Sequence, residues 1–273
     1  MDVQAYLQRI NYQGSLTPGS HLSGLDRPNL DRPSIELLRA LHRAHMFTVP
    51  FENLDIGLGR KIICDQGRIL YKIVNEHRGG FCYELNGAFA ALLRELGFHV
   101  NLLSARVARE DGSHGPEFDH LTLRVDLDEP WLADVGFGEG FLEPLRLESR
   151  GEHPQNGRVY RLTDLTSAGL PSEDGVLALE AMVEDKWKRQ YVFTLQPREL
   201  SEFAGMCHYH QTSPESHFTR QPICSLATPE GRMTLSDEES IETRAGSRRE
   251  RLLAGDDEWR VTLRERFGVV LPE

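Results

Sequence analysis

The sequence predicts an α+β fold, with a run of helices followed by a run of strands and a mixed tail. Three observations carry this prediction. Apolar residues recur at helical spacing over roughly the first hundred positions, as in Leu37, Leu38, Leu41, Met46 and Phe47. From about Phe98 to Pro197 the texture changes to alternating, β-branched and aromatic segments separated by turn residues. After Pro197 the two patterns mix. Helices and strands grouped in this way define an α+β chain rather than an alternating α/β one.

Taken in order, MDVQAYLQRI has the pattern of a short amphipathic helix. The Gly-, Pro- and Ser-rich stretch GSLTPGSHLSGLDRPNLDRP reads as a surface loop. Ser34 is placed to cap the next helix, and Pro50 closes that region ahead of FENLDIGLGR. A helix is expected around Ile69 to Glu76, and another after the glycine pair Gly79-Gly80. HVNLLSARVARE, HLTLRVDLD, WLADVG, RVYRLTDL, LALEAMVED and KRQYVFTL read as strands. SEFAGMCHYHQ reads as a helix, PICSLATPEGRMTLSD as a hairpin turning at Pro229-Glu230-Gly231, and DDEWRVTLRERFGVVL as a terminal helix. The acidic run SDEESIE reads as a solvated helix face or loop. The changes of texture divide the chain into 1–97, 98–197 and 198–273.

Composition narrows the function. With 273 residues, the chain is long enough for a substantial core. A net charge of −11 and the lack of a basic stripe argue against a nucleic-acid partner. No apolar run approaches the ~20 residues of a spanning helix. The four cysteines form no CxxC pair and no dense framework, so a cytoplasmic chain with reduced thiols is expected. Cys207, His208 and His210 in MCHYHQ lack a second ligand cluster, so no metal is expected.

One stretch raises a chemical question. RGGFCYELNGAF, Arg78 to Phe89, sets Cys82 between two glycines and an apolar run spaced as a helix face, Leu85, Ala88, Phe89, Leu92, Leu93 and Leu96. A thiolate is favoured where a turn enters a helix, because free amide N–H groups and the positive end of the helix dipole meet there. A small buried thiol that fills a gap fits the same pattern. A nucleophilic Cys needs a base, and the base needs an orienting group. His120 stands at the start of an alternating strand in EFDHLTLRVDL. Asp134 sits in the apolar WLADVG, where a carboxylate requires a partner. The glycines that follow it, in GFGEG, leave backbone N–H groups open to an oxyanion or phosphate. Cys82, His120 and Asp134 are thus a candidate triad.

RGGFCYELN, FDHLTL and ADVGFG, in that order and with VPFENLDI upstream, resemble the arylamine N-acetyltransferase family. MDVQAYLQRI, FTLQPRELSEF and SHFTRQPICSLATPEGRMTLS extend the resemblance over nearly the whole chain. It implies a fold similar to cysteine proteinases, with an N-terminal helical bundle, a central β-barrel and a C-terminal α/β lid. It implies Cys82 as nucleophile, His120 as base and Asp134 as its orienting group. The implied reaction is ping-pong transfer of acetyl from acetyl-CoA, through a Cys82 thioester, to an arylamine, hydrazine or arylhydroxylamine. The implied acceptor pocket contains Phe51, Val107, Phe137 and Phe203, and the implied CoA contacts are Gly138, Ser216 and Thr219. Glu52 and Arg78 are expected to form a buried structural pair, with Glu84 and Asn86 supporting the Cys turn. No metal and no membrane are implied, and the expected assembly is a monomer or homodimer. Two departures stand out. The loop at residues 19–33 is longer than the family usually shows and is read as an inert insertion. The pair that vertebrate members use for CoA near the His is Pro116-Glu117 here. A cysteine hydrolase or amidase, and an amide synthase with a longer acyl donor, are the alternatives.

Overall fold

The computed structural model describes residues 1–14, 32–165, 175–244 and 246–272. Nearly all of the long loop read from the sequence therefore lies outside the described residues. The N-terminal part contains α1 (Val3–Arg9), α2 (Ile35–Thr48), β1 (Phe51–Glu52), α3 (Leu54–Gly57), α4 (Gln66–Leu70) and α5 (Cys82–Glu95). Each start has a local cause. Asp2 accepts the Ala5 N–H, Ser34 accepts the Leu37 N–H, and Asp65 accepts the Arg68 N–H. Val49, ahead of Pro50, is extended and ends α2. α4 runs on into a π-helical turn at Tyr71–Asn75.

α5 is the centre of this part. The sequence pattern predicts a single apolar face, but every residue from Cys82 to Leu93 is buried. A helix enclosed on all sides needs partners for its polar groups, and its Glu84 and Asn86 side chains find them below.

The second part is antiparallel: β2 (His99–Val107), β3 (His120–Asp126), β4 (Pro130–Ala133), β5 (Leu145–Arg146), β6 (His153–Gln155), β7 (Arg158–Asp164), β8 (Leu177–Val183) and β9 (Lys186–Arg198). Spatial order is β5-β4-β3-β2-β9-β8-β7-β6. The sheet curls into a nearly closed barrel. Across the gap, Gln155 of β6 accepts the N–H groups of Leu142 and Glu143 ahead of β5. The barrel holds its own core, including Leu103, Phe141, Leu162, Leu179, Tyr191 and Phe193. α5 packs on β2 and β3, which brings the Cys82 helix against the strand that begins with His120.

The third part has α6 (Ala204–Thr212), β10 (Cys224–Thr228), β11 (Gly231–Leu235), β12 (Glu239–Arg244), β13 (Ser247–Leu252) and α7 (Asp256–Phe267). Its sheet runs β1-β10-β11-β12-β13. β1 pairs Phe51 with Ser225 and Glu52 with Cys224, so the C-terminal sheet is stitched to the N-terminal part. The predicted hairpin is β10–β11; the predicted terminal helix is α7, which stops at Phe267 and leaves out GVVL because Gly268 takes a left-handed conformation with φ 68°. The acidic run is corrected: its second half forms β12, held between β11 and β13. Charge there is handled by pairing, as where Glu242 meets Arg244 and Arg266.

Candidate active site

The double glycine has a steric cause. A Cβ on Gly79 would lie 1.9 Å from the Pro50 carbonyl oxygen, and one on Gly80 would lie 2.5 Å from Glu84 Oε2. The turn must press against Pro50–Glu52, where Glu52 N–H donates to the Gly80 carbonyl at 2.9 Å. Phe81 N–H then donates to Glu84 Oε2 at 3.2 Å, and α5 begins at Cys82. Gly136 presses from the other side, since its Cβ would lie 2.8 Å from Cys82 Cα. The nucleophile candidate is thus clamped between two glycine turns.

Beneath the turn lies a buried ionic cluster. Arg78 binds Glu52 at 2.8 Å and Asp55 at 3.0 Å. Lys72 binds Glu84 at 2.8 Å and Asp55 at 3.0 Å. Burial works to lower the Lys72 pKa, but Glu52, Glu84 and Asp55 outweigh it and raise the value. The Glu52–Arg78 pair is the one expected from the sequence. Lys72 and Asp55 were not anticipated, because no local pattern marks a lysine inside a helical turn as buried.

His120 and Asp134 meet. Asp134 is fully buried, and its Oδ2 accepts from His120 Nε2 at 2.7 Å and from the Tyr191 hydroxyl at 2.9 Å. Its Oδ1 accepts from Asn86 Nδ2 at 2.9 Å and Gly136 N–H at 3.0 Å. Burial alone would raise its carboxyl pKa, but His120 and these donors hold it below the usual range. Burial likewise works to lower the His120 pKa. The Asp134 charge and hydrogen bond, with a hydrogen bond to Cys82, raise it instead to about 10. Nε2 is taken by Asp134, so the other ring nitrogen is the one free for the thiol.

Asn86 joins the three elements. Its Nδ2 also donates to the Leu121 carbonyl at 2.6 Å, and its Oδ1 accepts the Val135 N–H at 2.9 Å. One side chain of α5 thereby registers the helix against β3 and the Asp134 turn. His42 adds a further support, accepting the Asp134 N–H at 3.2 Å and contacting the Leu142 carbonyl through Nδ1 at 2.8 Å. Burial pushes its pKa down to about 4, so it is neutral and Nδ1–H is the donor. Tyr191 and His42 escaped the sequence reading, since neither sits in a recognisable pattern near the residue it supports.

The triad candidates open into a cleft of about 1010 Å³. Cys82 and His120 line it, with Phe51, Val107, Phe137, Gly138 and Ser216. Phe137 stands edge-on to His120 at a centroid distance of 5.1 Å. Two residues lie elsewhere. Phe203 is fully buried, packed on Tyr83 and Phe118, and is not part of the wall. Thr219 turns its hydroxyl away to the Ser213 and Ser216 carbonyls. His210 lies against Asp119, at 3.3 Å. Among the described residues no cluster of His, Cys, Asp and Glu could hold a metal ion, and no helix is long and apolar enough to cross a membrane.

A cysteine at a buried helix start, a histidine with a carboxylate behind it, and a large cleft define an enzyme of the acyltransferase class once set beside known proteins. The family model described as N-acetyltransferase matches residues 34–273. The chain is 32% identical to the pineal gland isozyme NAT-3 arylamine N-acetyltransferase of Gallus gallus, over 99% of this chain and 95% of that protein. It is 33% identical to the arylamine N-acetyltransferase of Mycobacterium bovis, over 98% of this chain and 89% of that protein. The structure of the M. tuberculosis arylamine N-acetyltransferase superposes with a TM-score of 0.84 at 32% identity, covering 98% of this chain and 93% of that one. The Mycobacterium marinum enzyme, solved in complex with CoA, gives 0.84 at 31% identity, covering 98% and 93%. The chain belongs to the arylamine N-acetyltransferase family.

Proposed function

We propose that this protein transfers acetyl from acetyl-CoA to an arylamine, hydrazine or arylhydroxylamine by a ping-pong route through Cys82. The observation that carries the reading is the His120–Asp134 pair, buried beside Cys82 at the floor of an open cleft. The thiolate is the attacking form, and His120 is the base placed to take up the thiol proton. The thiolate adds to the thioester carbonyl, and the Cys82 amide at the start of α5 faces the oxyanion. CoA departs as its thiol with a proton from His120, leaving acetyl on Cys82. The amine then attacks that thioester, His120 takes the amine proton, and the Cys82 thiolate returns. Asp134 keeps the ring oriented and stabilises its charge through both half-reactions. A thioester conserves acyl reactivity, so an amine of low basicity can still attack.

Phe51, Val107 and Phe137 supply the apolar wall that an aromatic amine needs, and Gly138 and Ser216 face the same cleft. The division into 1–97, 98–197 and 198–273 belongs to the same reading: the first part carries Cys82, the second His120 and Asp134, and the third roofs the cleft. So does a cytoplasmic site of action with reduced thiols.

The test is intact mass after incubation with acetyl-CoA and no amine, alongside Cys82→Ala. One acetyl adduct on the wild type alone, discharged on adding an arylamine, is the expected result. No adduct on a protein whose Cys82 still alkylates would remove acetyl-CoA as donor. Discharge by water as fast as by amine would make the chain a hydrolase.

A further inference from the structure

The charged groups that line the cleft fall into two sets. Its carboxylates are occupied. Asp119 faces His210 at 3.3 Å, Glu139 is bound by Arg158 at 2.8 Å, and Glu215 faces the Tyr209 hydroxyl at 3.3 Å. Its two lining arginines, Arg106 and Arg109, are not neutralised in the same way. Among the described residues Arg106 has one ion-pair partner, Glu117 at 4.0 Å, and that carboxylate is also bound by Arg198. Arg109 is exposed and forms no ion pair among the described residues. Its neighbour Asp111 is tied to the Ser113 N–H and hydroxyl.

A third guanidinium stands behind this lip. Arg189 of β9 shares Glu180 with Arg161, at 3.9 Å against 2.7 Å, and reaches His114 of the wall with Nη1 3.4 Å from Nε2. Arginine only donates, so His114 accepts through Nε2 and is neutral. Burial first, then the charges of Arg189 and Arg106, hold its pKa below the ordinary value.

The lip is also built rigidly. Ala108 and His114 form an antiparallel bridge, and Arg109 N–H donates to the Ser113 carbonyl at 2.9 Å. Val107 N–H donates to Asp119 Oδ2 at 3.2 Å, which ties the lip to the residue before His120. The stretch between them is a poor anion ligand: Pro116 has no N–H to offer and Glu117 carries the wrong charge.

We propose that this lip binds the phosphate groups of the acyl-CoA donor, with Arg106 and Arg109 as direct ligands and Arg189 as supporting charge. The proposal rests on the donor named under Proposed function. Planar guanidinium forks match phosphate oxygens in pairs, and a hydrogen-bonded turn presents them in the wall of the cleft that Cys82 also lines. A carboxylate on the acceptor amine has the same oxyanion chemistry, so the test separates the two sources.

Binding of CoA and of adenosine 3′,5′-bisphosphate is measured by calorimetry on the wild type, on Arg109→Gln and on Arg106→Gln/Arg109→Gln. The expected rise in Kd is about tenfold for each arginine removed. Acetylation of Cys82 is then followed with acetyl-CoA and with acetylpantetheine, which lacks the nucleotide phosphates. The variants should slow with acetyl-CoA and match the wild type with acetylpantetheine. An unchanged Kd for the bisphosphate in the double variant would overturn the proposal. So would a KM that rises only for 4-aminobenzoate and not for aniline, since the anion would then belong to the acceptor. A wild type that binds CoA through these arginines yet takes no acetyl would retain the lip and remove the transferase reading instead.

Discussion

Asp134→Asn tests the electrostatic core of the site. The change keeps shape and leaves an oxygen for Asn86 and Gly136, but removes the charge beside His120. The magnitude can be worked from two histidines. His42 and His120 are both buried, at 0% and 2% exposure. Burial takes His42 down to about 4, whereas the Asp134 carboxylate takes His120 from 6.5 up to about 10. At ~1.4 kcal/mol per pH unit, the rise to about 10 corresponds to roughly 5 kcal/mol shared by the pair. The folded pKa of His120 lies above its unfolded value. Its contribution is therefore complete below about 6.5 and declines as pH rises toward about 10. Asp134 has a depressed pKa, so its share is present above about 3.8 and is lost as pH falls below that value. In Asp134→Asn only the smaller contribution of Cys82 opposes burial, the largest single effect on this ring, and His120 should titrate below 6.5 and be neutral at pH 7. The variant should lose about 3–5 kcal/mol at pH 6, or roughly 10 °C in Tm for a chain of this size. The assay is a histidine Cε1–H NMR titration, with His120 identified by His120→Gln, and urea unfolding at pH 6 and pH 9. A His120 that still titrates above 6.5 in Asp134→Asn would refute the reasoning. So would a variant whose stability falls between pH 6 and pH 9 as steeply as the wild type's.

Three further outcomes follow from the same geometry. Tyr191→Phe removes the 2.9 Å donor to Asp134 Oδ2 but leaves the other three. Urea unfolding should show a loss of about 1–2 kcal/mol, and acetylation of Cys82 should stay within about tenfold of wild type. Gly136→Ala drives a Cβ to 2.8 Å from Cys82 Cα and 2.7 Å from Asn86 Nδ2. Displacing Cys82 should cost about 100-fold in its acetylation rate, with a stability loss of only about 1–3 kcal/mol. Arg78→Met strips Glu52 and Asp55 of their shared guanidinium. Its unfolding free energy should fall by about 3–5 kcal/mol, while the folded fraction still takes one acetyl in the mass assay.

Much of this protein is legible in its sequence, and for definite reasons. Helix starts are local chemistry, so Ser34 announces its own cap and the hairpin at Pro229-Glu230-Gly231 its own turn. The glycine pair, Cys82, His120 and Asp134 are each conspicuous against their neighbours: a glycine turn entering a helix, or a polar group in an apolar strand. What escaped is what depends on partners far along the chain. Tyr191 meets Asp134 across 57 residues, and His42 meets it across 92. Lys72 looks like any helical lysine until Asp55 and Glu84 enclose it. β12 is rich in carboxylates and acquires its strand conformation from pairing on both sides. Phe51 and Phe203 are both aromatic, and only the packing sends one to the cleft and the other to the core. Residue type and spacing therefore determined which side chains could do chemistry and where helices and turns begin, because those effects act within a few residues. The tertiary structure decided which groups are buried together, what charge they hold and which of them face the cleft. Desolvation and ion pairing act through space, between residues whose separation in the chain says nothing of their distance.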